Sequence, residues 1–292
     1  MTYQIENKQL RVSFVSRGGE LTSILSADGT EYLWQPDKRY WTDQAPNIFP
    51  YVARLTDGTY LLDGKKWRLP IHGFVPTAEL EPEQIDTERC AFVLHSSAET
   101  KEQYPFDFIY RIVYSLSQNT LTITYQVENL SDRTCYFGLG GHPGFRVPID
   151  KRFEFSDYYL EFIEPCSPER IGFSDDCFVT QDTTKPFALE GGTILRLRHD
   201  LFDDDAIVLK NAASGVYLRS GPDGRAVRVD YPGFPYLGIW HMPKTDAPYV
   251  CIEPWASLPS RKGIVENLAT QPGLIHLNRG ERYEVSFSVR CY

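Results

Sequence analysis

Short segments in which apolar and polar residues alternate recur along this chain, and they constrain its fold more than any other feature. Residues 107–116 (DFIYRIVYSL), 121–129 (LTITYQVEN) and 282–292 (RYEVSFSVRCY) show the alternation over about ten positions, and GVYLRS (215–220) and AVRVDY (226–231) repeat it over six. These segments are rich in Val, Ile, Thr, Tyr and Phe with a period near two, which is typical of β-strands. The pattern therefore predicts a strand at each of the five.

Turn residues separate the predicted strands and favour an antiparallel arrangement. SADGTE (26–31), LTDGTY (55–60) and SLSQNTL (115–121) carry the Asp, Asn, Gly and Ser residues of tight connections. SPERIGFSDD (167–176) is the one stretch in which we expect a helical turn, and no alternation of strands with long helices is visible. A doubly wound or barrel α/β fold is therefore disfavoured.

The length of 292 residues suits either two average domains or one large β-sandwich or barrel. No linker, fixed repeat or low-complexity tract divides the chain. We therefore predict one all-β domain of stacked antiparallel sheets over residues 1–292.

Composition narrows the class of protein and its partners. The net charge of −9, with no basic run, argues against a nucleic-acid partner. The N-terminus MTYQIENKQLRV lacks the pattern of a signal peptide, and no apolar run is long enough for a membrane span. The six cysteines are scattered, without a CxxC pair or metal-ligand spacing. These features predict a cytoplasmic protein with free thiols, no metal and no membrane partner.

Two of the six histidines stand beside glycine in segments that do not read as strands. His142 lies in GGHPGF, where glycines allow close approach and Pro143 restricts the chain, and His72 lies in LPIHGFVP. Each is a candidate for binding or proton transfer, although a glycine-rich corner between two sheets explains the first equally well. The other four, of which only His241 in LGIWHMP is ambiguous, read as strand or turn residues: His95, His199, His241 and His276.

Acidic and aromatic residues supply further candidates. Glu253 interrupts an apolar run in YVCIEPWASLPS, and a carboxyl buried there would have a raised pKa suited to a general base near neutral pH. Asp203, Asp204 and Asp205 precede the apolar AIVL and read as a solvated turn, since neither an EF-hand spacing nor further clustered carboxylates support a site for a hard cation. Tryptophan rings can stack on the C–H faces of sugars, although most tryptophans are core residues; among the five, Trp240 is a candidate for substrate binding.

Five segments, in this order along the chain, resemble the aldose 1-epimerase (galactose mutarotase-like) family, and within it the LacX-like branch. The resemblance covers nearly the whole chain and implies a β-supersandwich that acts on sugars without a cofactor. The segments are EYLWQPDKRYW (31–41), APNIFPYVARLTDGTYLLDGKKWRLPIHGF (45–74), GGHPGF (140–145), HDLFDDDAIVL (199–209) and CIEPWASLPS (251–260).

The resemblance also implies an acid–base mechanism at the anomeric carbon. Glu253 would remove the proton of the C1 hydroxyl while His142 protonates the ring oxygen, so that the sugar opens, rotates and recloses on its other face. Arg54 and His72 would hold substrate oxygens, and Asp205 would accept bonds from sugar hydroxyls. The implied partner is a small sugar, and the protein would be a monomer or a homodimer.

The sequence departs from the family pattern at several positions. The branch often has Ala-Arg after His-Gly-Phe, where this chain has Val75 and Pro76, and Arg146 stands where Asn is common. Gly238 stands near the position of a glutamine in galactose mutarotases, so a preference for galactose is not predicted. Arg146 would face a charged substituent or, as we favour, a solvent-facing acid. A sugar-phosphate mutarotase and a non-catalytic carbohydrate-binding protein remain alternative functions.

Overall fold

Antiparallel β-strands are the main regular structure of the chain in a computed structural model that describes residues 2–174, 176–221 and 224–292, with only the backbone described at 181–183. Strand accounts for 45% of the chain and helix for 7%, which confirms the all-β prediction. In chain order the strands are β1 Thr2–Glu6, β2 Leu10–Val15, β3 Leu21–Ser26, β4 Asn47–Ile48, β5 Thr59–Leu62, β6 Lys65–Arg68, β7 Glu81–Gln84, β8 Arg89–His95, β9 Phe108–Ser117, β10 Thr120–Asn129, β11 Cys135–Phe137, β12 Gly140–Gly141, β13 Gly144–Arg146, β14 Tyr159–Phe162, β15 Glu169–Phe173, β16 Val179–Pro186, β17 Ile194–Arg196, β18 Ile207–Lys210, β19 Gly215–Arg219, β20 Ala226–Asp230, β21 Tyr236–Trp240, β22 Tyr249–Trp255, β23 Ile275–Leu277 and β24 Arg282–Cys291.

The helical elements are short. One α-helix, α1, spans Ala98–Gln103 and begins with a capping box between Ser97 and Thr100. Four 3₁₀ turns complete the helical content of the described chain, at Thr56–Gly58, Val75–Thr77, Phe155–Asp157 and His199–Phe202. Within that same part of the chain, no helix is long and apolar enough to cross a bilayer.

Two large sheets carry most of the strands. One has the order β17-β14-β19-β20-β24-β10-β9-β8-β7, and the other runs β16-β15-β18-β21-β22-β12-β4 with β13 also paired to β22. All five strands predicted from alternation are present, and they all belong to the first sheet. In β10 every second residue is buried, because one face of that sheet packs on the core and the other meets solvent.

The two sheets stack against each other. Tyr125 of β10 donates a hydrogen bond to the Asn47 side chain of β4 at 2.8 Å, and that side chain donates to the backbone oxygen of Gly18 at 3.0 Å. Tyr125, Asn47 and Gly18 are all buried, so these hydrogen bonds satisfy polar groups from which water is excluded. The bond ties the central strands of the first sheet to the edge of the second.

The prediction of a helical turn in SPERIGFSDD is wrong. Residues Glu169–Phe173 form β15, which pairs with β16 and β18, and Asp175 lies outside the described residues. The stretch alternates weakly, but Ile171 is buried in the sheet, and the backbones of Glu169 and Arg170 each pair with both neighbouring strands. Tertiary pairing therefore overrides the local turn chemistry.

Candidate active site

His142 lies directly opposite Glu253 in the second large sheet. Gly140 pairs with Trp255, and Gly144 pairs with Cys251 of the same strand, so the shared antiparallel register sets position 142 against position 253. His142 and Pro143 form the short break between β12 and β13. Since facing residues of antiparallel strands point to the same side of the sheet, both side chains enter the same space.

The glycines around His142 serve close packing of the protein against itself. A Cβ on Gly140 would lie 2.6 Å from the backbone oxygen of Pro254, and one on Gly141 would lie 2.8 Å from the Phe287 ring. A Cβ on Gly144 would lie 2.9 Å from the Trp41 ring. The sequence suggested that these glycines bring backbone close to a ligand, whereas in the fold they let β12 and β13 fit between neighbouring protein elements.

The two side chains are almost wholly removed from water. Nε2 of His142 lies 3.3 Å from Oε2 of Glu253, and the same carboxyl oxygen accepts a bond from the Trp255 indole N–H at 3.2 Å. The residues are 8% and 1% exposed, respectively. Nδ1 of His142 is buried and finds no hydrogen-bond partner among the described residues. A buried ring nitrogen of this kind leaves hydrogen-bonding capacity unused in the folded chain.

Burial shifts the two pKa values in opposite directions. It raises the pKa of Glu253 well above its usual range, with a further contribution from Asp205, although the Trp255 hydrogen bond opposes the shift. It lowers the pKa of His142 well below its usual range, helped by the nearby His72. The short contact has the geometry of an ion pair, but both shifts favour the form in which neither group is charged.

His72 reaches the same space from a strained turn. Its backbone has φ +62°, in the left-handed region, and Gly73 follows with φ +74°. A Cβ on Gly73 would lie 2.2 Å from the backbone oxygen of Phe49, so only glycine fits there. The His72 N–H donates to the Ala53 oxygen at 2.9 Å, and the Ala53 N–H donates to His72 Nδ1 at 3.3 Å.

These bonds assign the proton of the His72 ring. Because Nδ1 accepts a hydrogen bond, the proton of the neutral imidazole resides on Nε2. Burial, with the charge of Arg54, lowers the pKa of His72 to about 4, so the ring is neutral near pH 7. His72 can therefore offer a neutral N–H donor to a bound molecule.

Asp205 is the member of the acidic run that lines this space. It stands two residues before β18 with φ +69°, and its Oδ1 accepts a bond from the Ala206 N–H at 2.8 Å. Asp203 and Asp204 are exposed. The left-handed turn therefore sets which of the three carboxylates faces inward.

Aromatic rings surround His142. Its ring centroid lies 5.0 Å from that of Trp41 in a tilted arrangement and 5.6 Å from that of Trp240 edge-on. Trp34 and Tyr249 pack beneath these tryptophans with Cys251. Rings held in this way resist reorientation of the imidazole and also present apolar faces to the space.

All six predicted site residues line one cleft of about 390 Å³: Arg54, His72, His142, Asp205, Trp240 and Glu253. Sequence reasoning missed two polar residues of the same wall, Asp43 and Cys177. Asp43 follows Trp41 closely in the chain, which is a weak signal, and nothing in the sequence around Cys177 marks it. The volume suits a small polar ligand.

The remaining candidates lie elsewhere. Arg146 lines a separate surface groove with Asp37 and Lys151 and is not among the residues that line the cleft. His241 is fully buried, with its Nε2 3.2 Å from Nδ1 of His199, and so has a place in the core. His95 and His276 are exposed.

Among the residues that the structure describes, one set of side chains could accept a metal ion. Ligand atoms of His142, Cys251 and Glu253 lie within 4.8 Å of one another, and all three residues are buried. Thiolate, imidazole and carboxylate together suit a borderline-soft divalent cation. Such an ion would bind His142 and Glu253, the two side chains that face each other across the paired strands.

Comparisons with known proteins show the family of this chain. Residues 1–290 match the family model described as Aldose 1-epimerase. The chromosomal LacX protein of Lactococcus lactis subsp. lactis is 36% identical over 267 residues, which cover 88% of each chain, and the plasmid form is 35% identical over the same share.

Solved structures extend the agreement to three dimensions. A galactose mutarotase related enzyme from Lactobacillus acidophilus superposes with a TM-score of 0.93 at 34% identity, covering 100% of this chain and 97% of the other. A galactose mutarotase-like protein from Lactobacillus casei gives a TM-score of 0.91 at 28% identity over 100% of both chains. Since the family model spans nearly the whole chain and the LacX relatives share more than a third of the aligned residues with it, the chain belongs to the aldose 1-epimerase family.

Proposed function

We propose that this protein is a mutarotase, which interconverts the α and β anomers of a free sugar by opening and reclosing its ring. The observation that carries the proposal is the facing pair His142 and Glu253, with Nε2 and Oε2 3.3 Å apart on the wall of a cleft. Membership of the aldose 1-epimerase family supports the reaction class.

The chemistry needs one group that takes a proton and one that gives a proton. In the ring-opening step Glu253, as carboxylate, removes the C1 hydroxyl proton, and protonated His142 gives its proton to the ring oxygen as the C1–O bond breaks. The products are the open aldehyde, a neutral imidazole and a carboxylic acid. Rotation about C1–C2 exposes the other face, and the reverse transfers reclose the ring.

The opposed pKa shifts suit this exchange. The form with carboxylate and imidazolium holds the same number of protons as the form with carboxylic acid and neutral imidazole, and each has zero net charge. The pair can therefore pass between the two forms without taking a proton from water. Burial favours the uncharged form, so neither partner is trapped in an ionised state by its neighbour.

The other residues of the cleft would hold the sugar. His72 offers the N–H of its Nε2, Arg54 offers guanidinium donors, and Asp205 accepts from hydroxyls. The faces of Trp41 and Trp240 suit the C–H side of a sugar ring. In this arrangement His72, Arg54, Asp205 and the tryptophans contact the rest of the sugar, while C1 and the ring oxygen lie at His142 and Glu253.

The charge of the cleft favours a neutral sugar over a sugar phosphate. Among the described lining residues, Arg54 is the single Arg or Lys that could meet a phosphate, whereas Asp43 and Asp205 both supply carboxylates. Phosphate binding generally uses several cationic or backbone donors together. The preferred substrate is therefore an uncharged aldose.

The test is the rate of anomer exchange of free aldoses, followed by polarimetry or exchange NMR with the purified protein. Glu253→Gln and His142→Ala should each lower kcat by at least about 100-fold, because each removes one proton-transfer partner. Tyr292→Phe, at the exposed C-terminal residue, is the matched control and should keep the wild-type rate. Wild-type rates in both active-site variants, or binding of sugars without any exchange, would rule out the proposal.

A further inference from the structure

Cys177 is held at the cleft by a network of backbone and side-chain bonds. Its residue lies between β15 and β16 with φ +66°, and its N–H donates to the Ser174 oxygen at 2.9 Å. The Ser174 N–H donates to the Phe178 oxygen at 3.0 Å, and the Ser174 hydroxyl accepts from the Phe178 N–H at 3.3 Å. A non-glycine residue in the left-handed region persists where its surroundings impose that conformation.

The thiol of Cys177 contacts a carboxylate that also faces the cleft. Its Sγ donates a hydrogen bond to Oδ2 of Asp205, whose Oδ1 accepts from the Ala206 N–H. The Asp205 N–H in turn donates to the Phe202 oxygen at 2.9 Å. The carboxylate of Asp205 is thus held at both oxygens, one by its own turn and one by a residue from a different connection.

The Cys177 thiol stays protonated, as donation of a hydrogen bond to Asp205 requires. Burial and the adjacent carboxylate raise the pKa of Cys177 to about 12, so that it remains a hydrogen-bond donor near neutral pH. A thiolate would repel the carboxylate, whereas the thiol attracts it.

We propose that Cys177 is a positioning residue that orients the Asp205 carboxylate toward the hydroxyl groups of the bound sugar. The proposal rests on the proposed mutarotase function, because it assigns Asp205 to substrate binding. A carboxylate with one oxygen fixed by the thiol presents its remaining acceptor sites in one direction, which lowers the entropy lost when a hydroxyl binds.

The experiment measures KM and kcat for anomer exchange in a double-mutant cycle. Cys177→Ala should raise KM about three- to tenfold with kcat nearly unchanged, since a hydrogen bond to a charged group is lost and the proton-transfer pair is untouched. Cys177→Ser should restore most of the affinity, because a hydroxyl also donates. In an Asp205→Ala background, Cys177→Ala should change KM by less than about twofold, since the residue it positions is gone.

Cys166→Ala is the control, because Cys166 is also partly buried but lies outside the cleft residues. It should leave KM unchanged. Thermal unfolding of each variant separates loss of affinity from loss of folding. If Cys177→Ala and Cys177→Ser raise KM equally, or if the effect of Cys177→Ala persists without Asp205, the positioning role is refuted.

The cycle also distinguishes the failure of this inference from the failure of the proposed function. A wild-type protein with no exchange activity would remove the proposed function and the inference with it. An active wild type in which Asp205→Ala raises KM and Cys177→Ala does not would remove the inference alone.

Discussion

At the scale of single residues, the pair His142 and Glu253 links catalysis to stability. Nε2 and Oε2 lie 3.3 Å apart, and burial makes the charged form of each group costly. The same desolvation that readies the pair for proton exchange therefore lowers the free energy of unfolding over part of the pH range. Active sites commonly carry such a cost.

The pH dependence follows from the direction of each shift. The pKa of Glu253 is raised above its ordinary 4.5, so its contribution to stability is fully present below about pH 4.5 and is lost as pH rises toward the raised value. The pKa of His142 is lowered below 6.5, so its contribution is present above about pH 6.5 and is lost as pH falls.

Glu253→Gln should therefore stabilise the protein at pH 8 while removing activity. The amide keeps the size of the carboxyl but cannot ionise, so the loss of stability on the alkaline side disappears. Urea unfolding should show a higher free energy of unfolding than wild type at pH 8 and a smaller difference at pH 5. Glu102→Gln, at an exposed position of α1, should change neither value. A Glu253→Gln protein less stable than wild type at pH 8 would contradict the assigned direction of the shift.

At the scale of elements, the position of His142 depends on how tightly β12 fits between its neighbours. The strand pairs with β22 and β4, and a Cβ on Gly141 would meet Phe287 of β24 and the Tyr125 hydroxyl of β10, both from the other sheet. A methyl group cannot enter without moving either the strand or the aromatic rings.

Gly141→Ala should thus lower both stability and kcat. Its Cβ would lie 2.8 Å from the Phe287 ring, and overpacking of this kind costs about 1–3 kcal/mol. Thermal unfolding and exchange rates measure the two effects. Adding Phe287→Leu should recover part of both losses, and Gly221→Ala, which has open space around its Cβ, should have little effect. Full activity and wild-type stability in Gly141→Ala would show that the packing does not position His142.

The sequence predicts the long strands of this fold well and its short elements poorly, and the difference has physical reasons. Long strands such as β9 and β10 are predicted by the alternation of apolar and polar residues, because one face of each strand is buried along its whole length. Helix α1 was missed because six residues are too few to show a helical period. The strand β15 was misread because its alternation is weak and its extended backbone depends on pairing with β16 and β18, which the local residues do not show.

In the candidate site, too, the sequence indicates some residues but not how the fold arranges them. The glycine neighbours of His142 and the apolar run around Glu253 marked these two residues in the sequence. The register that sets them opposite each other depends on strand pairing, which the sequence does not show. The inward turn of Asp205 depends on a positive φ, which three consecutive Asp residues do not reveal. Cys177 carries no motif, and only the fold brings it to Asp205.

At the scale of the whole molecule, charge should select against phosphorylated sugars. The chain carries a net charge of −9, and the cleft itself contains Asp43 and Asp205. A phosphate dianion would therefore approach a negative surface, with Arg54 as its one guanidinium partner among the described lining residues.

We expect kcat/KM for a hexose 6-phosphate to be at least about tenfold below that for the same free hexose at low ionic strength. The gap should narrow in salt, because salt screens the repulsion. Asp43→Asn should narrow it as well, whereas Asp132→Asn, at an exposed site outside the cleft residues, should not. A preference for the phosphorylated sugar at low salt would overturn the assignment of a neutral substrate.

The central claim is that His142 and Glu253 act as one proton-exchanging unit across the strand register. The most direct measurement compares the kcat of anomer exchange in Glu253→Gln, His142→Ala and the double variant, with folding checked for each. Partners that act as a unit should each cost about as much alone as both cost together, at least about 100-fold in kcat. Independent losses that multiply in the double variant, or a single variant with wild-type kcat, would contradict the account.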